Sequence, residues 1–211
     1  MPEKEVSMDS IAKYPIITIS REYGAAGRTL AAALSERMGI PYYDKDFVTK
    51  TAKESGYDED LIREEGEELK PASRVLNSIL NSTVSYTSSH DGIFKAQKKV
   101  VMELAQSPCI IVGRCADHIL REAGADVLCI YLYASLQYRM KRAEKLAENG
   151  EMQLDKYVEK RDKQRKTYYK QYTGLEMGNA SNYNICFDTG RIGLNTCADI
   201  VMEILKREVT A

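Results

Sequence analysis

The feature that most constrains this chain is a junction near its start. Ile16-Ile17-Thr18-Ile19-Ser20 is a short β-branched run, the pattern of a buried strand. It passes directly into Arg21-Glu22-Tyr23-Gly24-Ala25-Ala26-Gly27-Arg28-Thr29. The next stretch, Leu30-Ala31-Ala32-Ala33-Leu34-Ser35-Glu36-Arg37-Met38, is a strong helix former, and Gly39 stands where a C-cap belongs. Strand, glycine-bearing turn and helix in that order set a rhythm that the rest of the chain repeats.

Further strands are expected at residues 40–44, 109–112, 127–133 and 184–188. Between them the pattern is helical. Residues 45–106 are polar, interrupted by Pro71 and by a Ser/Thr-rich stretch at 81–89, with an amphipathic helix resuming over 93–105. A long charged helical region runs from Leu136 to about Tyr172, broken near Asn149-Gly150, and a last helix covers 194–207. Short apolar strands alternating with helices predict an α/β fold with a parallel sheet covered on both faces. Ligands of such sheets bind beyond the carboxyl ends of the strands. Residues 24–29, Asp44, Gly113-Arg114 and Ala134-Ser135 all follow a strand.

Composition narrows the class. The 211 residues fit one domain, or one domain with an inserted lid. With 44% hydrophobic and 29% charged residues, a sizeable core is expected and extensive disorder is not. The formal net charge of -1 argues against a protein dedicated to wrapping nucleic acid, and no nucleic-acid partner is expected. Five cysteines lack zinc-site spacing and read as buried thiols of a reducing compartment. No apolar stretch approaches the ~20 residues that span a bilayer, and the N-terminus has no signal-peptide core. Residues 1–14 read as a flexible polar tail, residues 15–211 as one domain, and the cytoplasm as the expected location. Nothing in the sequence specifies an oligomeric state.

A phosphate needs clustered backbone N–H donors, a helix N-terminus and a cation. The turn offers all three. Gly24, Ala25, Ala26 and Gly27 let the backbone approach an anion, Arg28 brings positive charge, and the Thr29 hydroxyl could hold a phosphate-bound magnesium ion. The fit to GxxxxGK[ST] is partial: Glu22 stands at the first glycine and Arg28 replaces lysine. A plain strand-to-helix turn, with glycines serving backbone geometry alone, is the alternative reading of the same residues.

Several stretches together resemble the cytidylate kinase-like family of P-loop kinases. They are the strand and turn from Ile17 to Arg28, Pro41-Tyr42-Tyr43-Asp44-Lys45, Val112-Gly113-Arg114-Cys115-Ala116-Asp117, Tyr168-Tyr169 with Tyr172-Thr173-Gly174, and Asn182-Tyr183-Asn184 with Asp188-Thr189. The resemblance implies a five-stranded parallel sheet flanked by helices, a helical acceptor-binding insertion over 45–106 and an arginine-bearing lid over about 150–174. It also implies transfer of the γ-phosphoryl group of ATP, with magnesium, to a nucleoside monophosphate, CMP or dCMP first. Two alternatives remain: a kinase-like module that binds a nucleotide or phosphate without transfer, and a kinase of this fold for another small acceptor.

Residue roles follow from the resemblance. Gly24 to Thr29 would cradle the donor phosphates, with Arg28 in the lysine role. Asp44 matches an acid that orients the acceptor or magnesium-bound water, though it also suits a helix N-cap. Arg114 matches an arginine that binds the acceptor phosphate, a bidentate use suited to guanidinium. The family's following aspartate is Cys115 here. In the basic run Lys160-Arg161-Asp162-Lys163-Gln164-Arg165-Lys166, Arg161 aligns with a lid arginine, and Arg165 falls where an acceptor-binding aspartate would sit. Arg139 and Arg142, after Ala134-Ser135, could also reach the cleft. The bland reading of the run is a solvated helix face with pairs such as Asp162–Lys166. Tyr168, Tyr169 and Tyr172 read as packing residues.

Overall fold

The computed structural model describes residues 16–44, 50 and 89–207. Strand β1 (Ile16–Arg21) is buried along its whole length. It pairs in parallel with β3 (Cys109–Val112) on one side and β4 (Val127–Tyr133) on the other. β2 (Tyr42–Tyr43) extends the sheet beyond β3, and β5 (Ile185–Asp188) beyond β4. The order is β2-β3-β1-β4-β5, and every pair is parallel. The chain thus builds one side of β1 and then crosses to the other. The crevice beyond the carboxyl end of β1 is therefore a topological switch point, where α/β sheets bind ligands.

Successive residues of β1 serve opposite faces of the sheet, which is why its sequence is apolar without interruption. Ile17 and Ile19 pack with Leu30 and Leu34 of α1 (Gly27–Met38) and with Cys197 and Val201 of α7 (Leu194–Arg207). Ile16 belongs to the opposite layer. That layer includes Val100 and Val101 of α2 (Ser89–Leu104), Ile119 and Leu120 of α3 (Ala116–Glu122), and Tyr168 and Tyr169 of α5 (Leu154–Thr173). The short α6 (Thr189–Ile192) follows β5 directly.

Helix boundaries follow local chemistry. Gly39 ends α1 in the left-handed conformation at φ 67°, its N–H donating to the Ser35 carbonyl. Ser135 caps α4 (Leu136–Leu146) by accepting from the Tyr138 N–H at 3.3 Å. The charged stretch breaks between α4 and α5, where Ala147 and Gly150 both take positive φ. Strand β2 is shorter than the pattern of residues 40–44 predicts. Pro41 has no N–H to give a ladder, although its carbonyl still accepts from the Ile110 N–H at 2.9 Å. Of the helical stretch expected over 45–106, the described residues include only Lys50 and 89–106, and the 1–14 tail lies outside them. No helix among the described residues is long and apolar enough to cross a membrane.

Helix α5 docks through its tyrosines. The Tyr168 hydroxyl donates to Gln97 Oε1 and the Tyr169 hydroxyl to Asp117 Oδ2, each at 2.7 Å, while Tyr172 stacks on Phe94 with ring centroids 4.1 Å apart. Asp117 is only 2% exposed. Burial holds its carboxyl above the usual carboxylate range, and the Tyr169 hydroxyl pulls it back down. The stability such a group contributes is fully present below its unfolded value and is lost as pH rises towards the raised one. Tyr169→Phe removes the hydroxyl that donates to the buried Asp117 carboxyl. It is expected to cost about 1–3 kcal/mol in urea denaturation, with the larger loss at the higher pH of a titration series, where the carboxyl is ionised and most needs the donor.

Candidate active site

The turn after β1 reaches α1 through two left-handed residues, Gly24 at φ 79° and Ala26 at φ 68°. A side chain at Gly24 would bring its Cβ to 2.5 Å from the Arg139 carbonyl oxygen, so only glycine fits between the turn and α4. Ala26 is the N-cap of α1, yet no side chain caps the helix and no acid occupies its first turn. The positive end of α1 therefore faces the switch point without an anionic group of its own chain in that turn. From the other flank, the buried Thr189 hydroxyl donates to the Ala25 carbonyl at 3.2 Å.

The turn is gripped by α4 and α5. Arg139 is buried, and its Nε lies 3.0 Å from the Ala134 carbonyl and 3.2 Å from Glu22 Oε2. Its Nη1 donates to the Tyr23 carbonyl at 3.2 Å and pairs with Asp162 Oδ2. The other Asp162 oxygen accepts from the Tyr23 N–H at 2.7 Å, and Glu22 Oε2 accepts from the Ala134 N–H at 3.3 Å. One guanidinium thus joins two carboxylates and the backbone of the turn. Burial pushes the Glu22 carboxyl up, and Arg139 opposes that shift. The Tyr23 ring packs with Ala143 and Val158, edge-on to Tyr157 at 5.5 Å, with the Arg165 guanidinium 5.4 Å from its centre.

On the β3 side, Gly113, Arg114 and Cys115 take positive φ in succession, at 82°, 61° and 54°. For Arg114 and Cys115 this is a sparsely populated conformation of the kind that gathers at functional sites. Its effect is to turn the chain sharply between β3 and α3. A cavity of about 30 Å³ opens there, lined by Ser20, Arg21, Arg114, Arg165 and Tyr168 among others.

The residues singled out in the sequence do not all meet at one point. Arg114 and Arg165 meet at the cavity. Arg28 is exposed and ion-paired with Asp44 at the mouth of the turn. Arg142 Nη2 donates to Thr29 Oγ1 at 3.0 Å. Arg139 is engaged with Glu22, Asp162 and backbone carbonyls, and Arg161 donates to Gln164 on its own helix at 3.3 Å. Asp162 faces inward to Tyr23 and Arg139, where a solvated face would have paired it with Lys166. Sequence reasoning gave no role to Arg21 or Tyr23. The available signal for Arg21 was a cation closing an apolar strand immediately before a glycine turn.

Thr29 is exposed in the first turn of α1. Among the described residues no group of three or more Asp, Glu, His or Cys gathers to hold a metal. These donors suit an ion that arrives bound to phosphates and adds a hydroxyl ligand, as magnesium does with nucleotides.

The sequence profile of the cytidylate kinase-like family matches residues 16–191. A cytidylate kinase of Methanococcus vannielii is 25% identical over 194 residues, covering 90% of this chain and 99% of the relative. One of Methanothrix thermoacetophila is 28% identical over 177 residues, covering 83% and 89%. In three dimensions, a shikimate kinase from Bacteroides thetaiotaomicron superposes with a TM-score of 0.57 at 12% identity, covering 90% of this chain and 98% of the other. At that identity the likeness concerns the fold: a five-stranded parallel sheet flanked by helices, shared with P-loop kinases.

Two measurements probe this geometry. Arg139→Ala leaves Glu22 and Asp162 without their shared cation and is expected to cost about 3 kcal/mol near neutral pH by chemical denaturation. Because Glu22 titrates above its unfolded value, and higher still without Arg139, that loss should grow as pH rises above the ordinary glutamate range. Gly113→Ala forces alanine to positive φ and sets its Cβ 2.1 Å from Arg21 Nη1. It should lower the melting temperature by at least the equivalent of about 1 kcal/mol.

Proposed function

The chain belongs to the cytidylate kinase-like family, and from that premise we propose that it is an ATP-dependent phosphotransferase acting on a nucleoside monophosphate, with CMP or dCMP the first acceptor to test. The observation that carries this reading is the meeting of Arg114 and Arg165 at a cavity at the ends of β1 and β3, with the uncapped N-terminus of α1 following β1. Phosphoryl transfer asks little covalent chemistry of a protein. It asks for positioning and for neutralisation of charge spread over phosphate oxygens.

In this reading, the backbone of Gly24 to Thr29 holds the donor phosphates against the positive end of α1. Arg114 forks onto the acceptor phosphate. An acceptor phosphate oxygen attacks the γ-phosphorus of ATP, and the new P–O bond forms as the bond to the β,γ-bridging oxygen breaks, releasing ADP. Arg165 and Arg161, carried on α5, are the lid-side cations that face the transferred charge, and Arg142 borders the donor phosphates beside Thr29. Arg28 and Asp44 form the rim, where Asp44 orients the acceptor. Arg139 acts through Glu22 and Asp162 by holding the turn in shape. Magnesium bound with the nucleotide supplies further charge neutralisation, and Thr29 is the residue that would ligate it.

A coupled assay with ATP, magnesium and a panel of nucleoside monophosphates and small hydroxyl acceptors tests the proposal. Turnover on at least one monophosphate is expected. Arg114→Ala should then lower kcat/KM by about a hundredfold, chiefly through the acceptor KM. Tight ATP binding with no turnover on any acceptor would point instead to a nucleotide-binding module.

A further inference from the structure

Tyr23 belongs to the donor turn, yet its side chain points away from solvent, and the residue is 4% exposed. We infer that Tyr23 is a positioning residue: its hydroxyl, held by Glu148 at the α4–α5 junction, seats the first half of α5 on the turn and so couples phosphate binding there to the placement of that half-helix. The inference rests on the phosphotransferase reading for its ligand, the phosphates of a nucleotide, and adds to it the residue that ties the turn to the lid helix.

The two halves of α5 are held differently. Among the described residues, the layers that cover the sheet draw only Tyr168, Tyr169 and Tyr172 from this helix. The first half packs elsewhere. Val158 is fully buried and meets Tyr23 and Ala143 in a separate small cluster, with Leu154 and Tyr157 packed against it. A tyrosine of the turn is thus the apolar seat of a half-helix whose own apolar residues join neither sheet layer. Burying that ring edge-on to Tyr157 favours the seated arrangement.

Three polar groups of Tyr23 reach three neighbouring pieces of chain. Its N–H donates to Asp162 Oδ1 of α5 at 2.7 Å, and its carbonyl accepts from Arg139 Nη1 of α4 at 3.2 Å. Its hydroxyl donates to Glu148 Oε2, in the segment between those helices, at 2.7 Å. Burial, and after it the Glu148 carboxylate, hold the phenol above its ordinary range. The hydroxyl therefore keeps its proton and stays a donor at neutral pH.

The junction itself is a compact turn. Ala147 ends α4 at φ 51°, and Gly150 follows at φ 54°. The Met152 N–H donates to the Asn149 carbonyl at 3.0 Å, and Asn149 Nδ2 donates to the Met152 carbonyl at 2.8 Å. Glu148 stands between the two left-handed residues. Its bond to Tyr23 therefore fixes the end of α5 that Tyr168, Tyr169 and Tyr172 do not anchor. Arg161 and Arg165 lie in the half seated this way. A phosphate settling on the turn bears on the residue next to Gly24, and through it on the position of both.

Amide hydrogen exchange tests this without turnover. Tyr23→Phe keeps the ring and loses the hydroxyl. It should speed exchange of the 158–162 amides at least about fivefold and leave those of 168–172 within about twofold of wild type. Glu148→Ala should match it, while Glu148→Gln, which keeps an acceptor oxygen, should fall between Glu148→Ala and wild type. The Tyr23→Phe/Glu148→Ala double variant should exceed the larger single effect by no more than about twofold. Saturating inorganic tripolyphosphate should slow exchange at 158–162 in the wild type, and by a smaller factor in Tyr23→Phe. Wild-type exchange at 158–162 in Tyr23→Phe, equal acceleration at both ends of α5, multiplying effects in the double variant, or equal slowing by tripolyphosphate in both proteins overturns the inference. If tripolyphosphate slows exchange through Tyr23 while no acceptor is ever phosphorylated, the kinase reading falls and this one stands.

Discussion

The Arg139 guanidinium is the contact on which the turn after β1 depends. It lies buried between Glu22 and Asp162, and it also meets the carbonyls of Tyr23 and Ala134. Two partly buried carboxylates could not sit this close without a shared cation, since each would otherwise lose hydration without compensation. Remove the guanidinium and Asp162 loses the partner that keeps it on the Tyr23 N–H, while Glu22 loses the one that keeps it beside β4. The turn, α4 and α5 therefore hold one another in place through a single planar group. Gly24 completes the arrangement because nothing larger fits beneath the Arg139 carbonyl.

This explains how so much positive charge can be concentrated at one end of the sheet. Among the described residues, Glu22 and Asp162 are engaged by Arg139 and, at the rim, Asp44 by Arg28. Arg21, Arg114 and Arg165 line the cavity, and the uncapped N-terminus of α1 follows the same strand. Such a setting suits a phosphate, and its position at the switch point of a parallel sheet is where topology opens a crevice. The tyrosines of α5 matter to the same end. By anchoring the helix on Gln97 and Asp117, they bring Arg165 to the end of β1.

Much of the fold was legible because strands buried on both faces must be apolar throughout and helices must punctuate them. Residues 109–112 and 127–133 were readable as strands for that reason. The second strand was overextended because hydropathy does not register the N–H that Pro41 lacks. At the site, the glycines and alanines of the turn were legible from spacing, and so was the arginine after β3. The partner of each arginine was not. Arg139 resembled a cleft residue in the sequence, and its carboxylates come from positions 22 and 162, on different elements.

The sequence by itself determined the order of strands and helices, the parallel sheet and the glycine-bearing turn that joins the first strand to the first helix. Each of these follows from local periodicity and from backbone chemistry within a few residues. Only the tertiary structure decided which cations face the crevice and which are consumed in holding it. That depends on pairings between residues more than a hundred positions apart, such as Glu22 with Arg139 and Arg28's near neighbour Thr29 with Arg142. Spacing along the chain says nothing about such distances. Burial then separates Arg21, fixed at the end of β1, from Arg28 in solvent, although only a short turn lies between them in sequence.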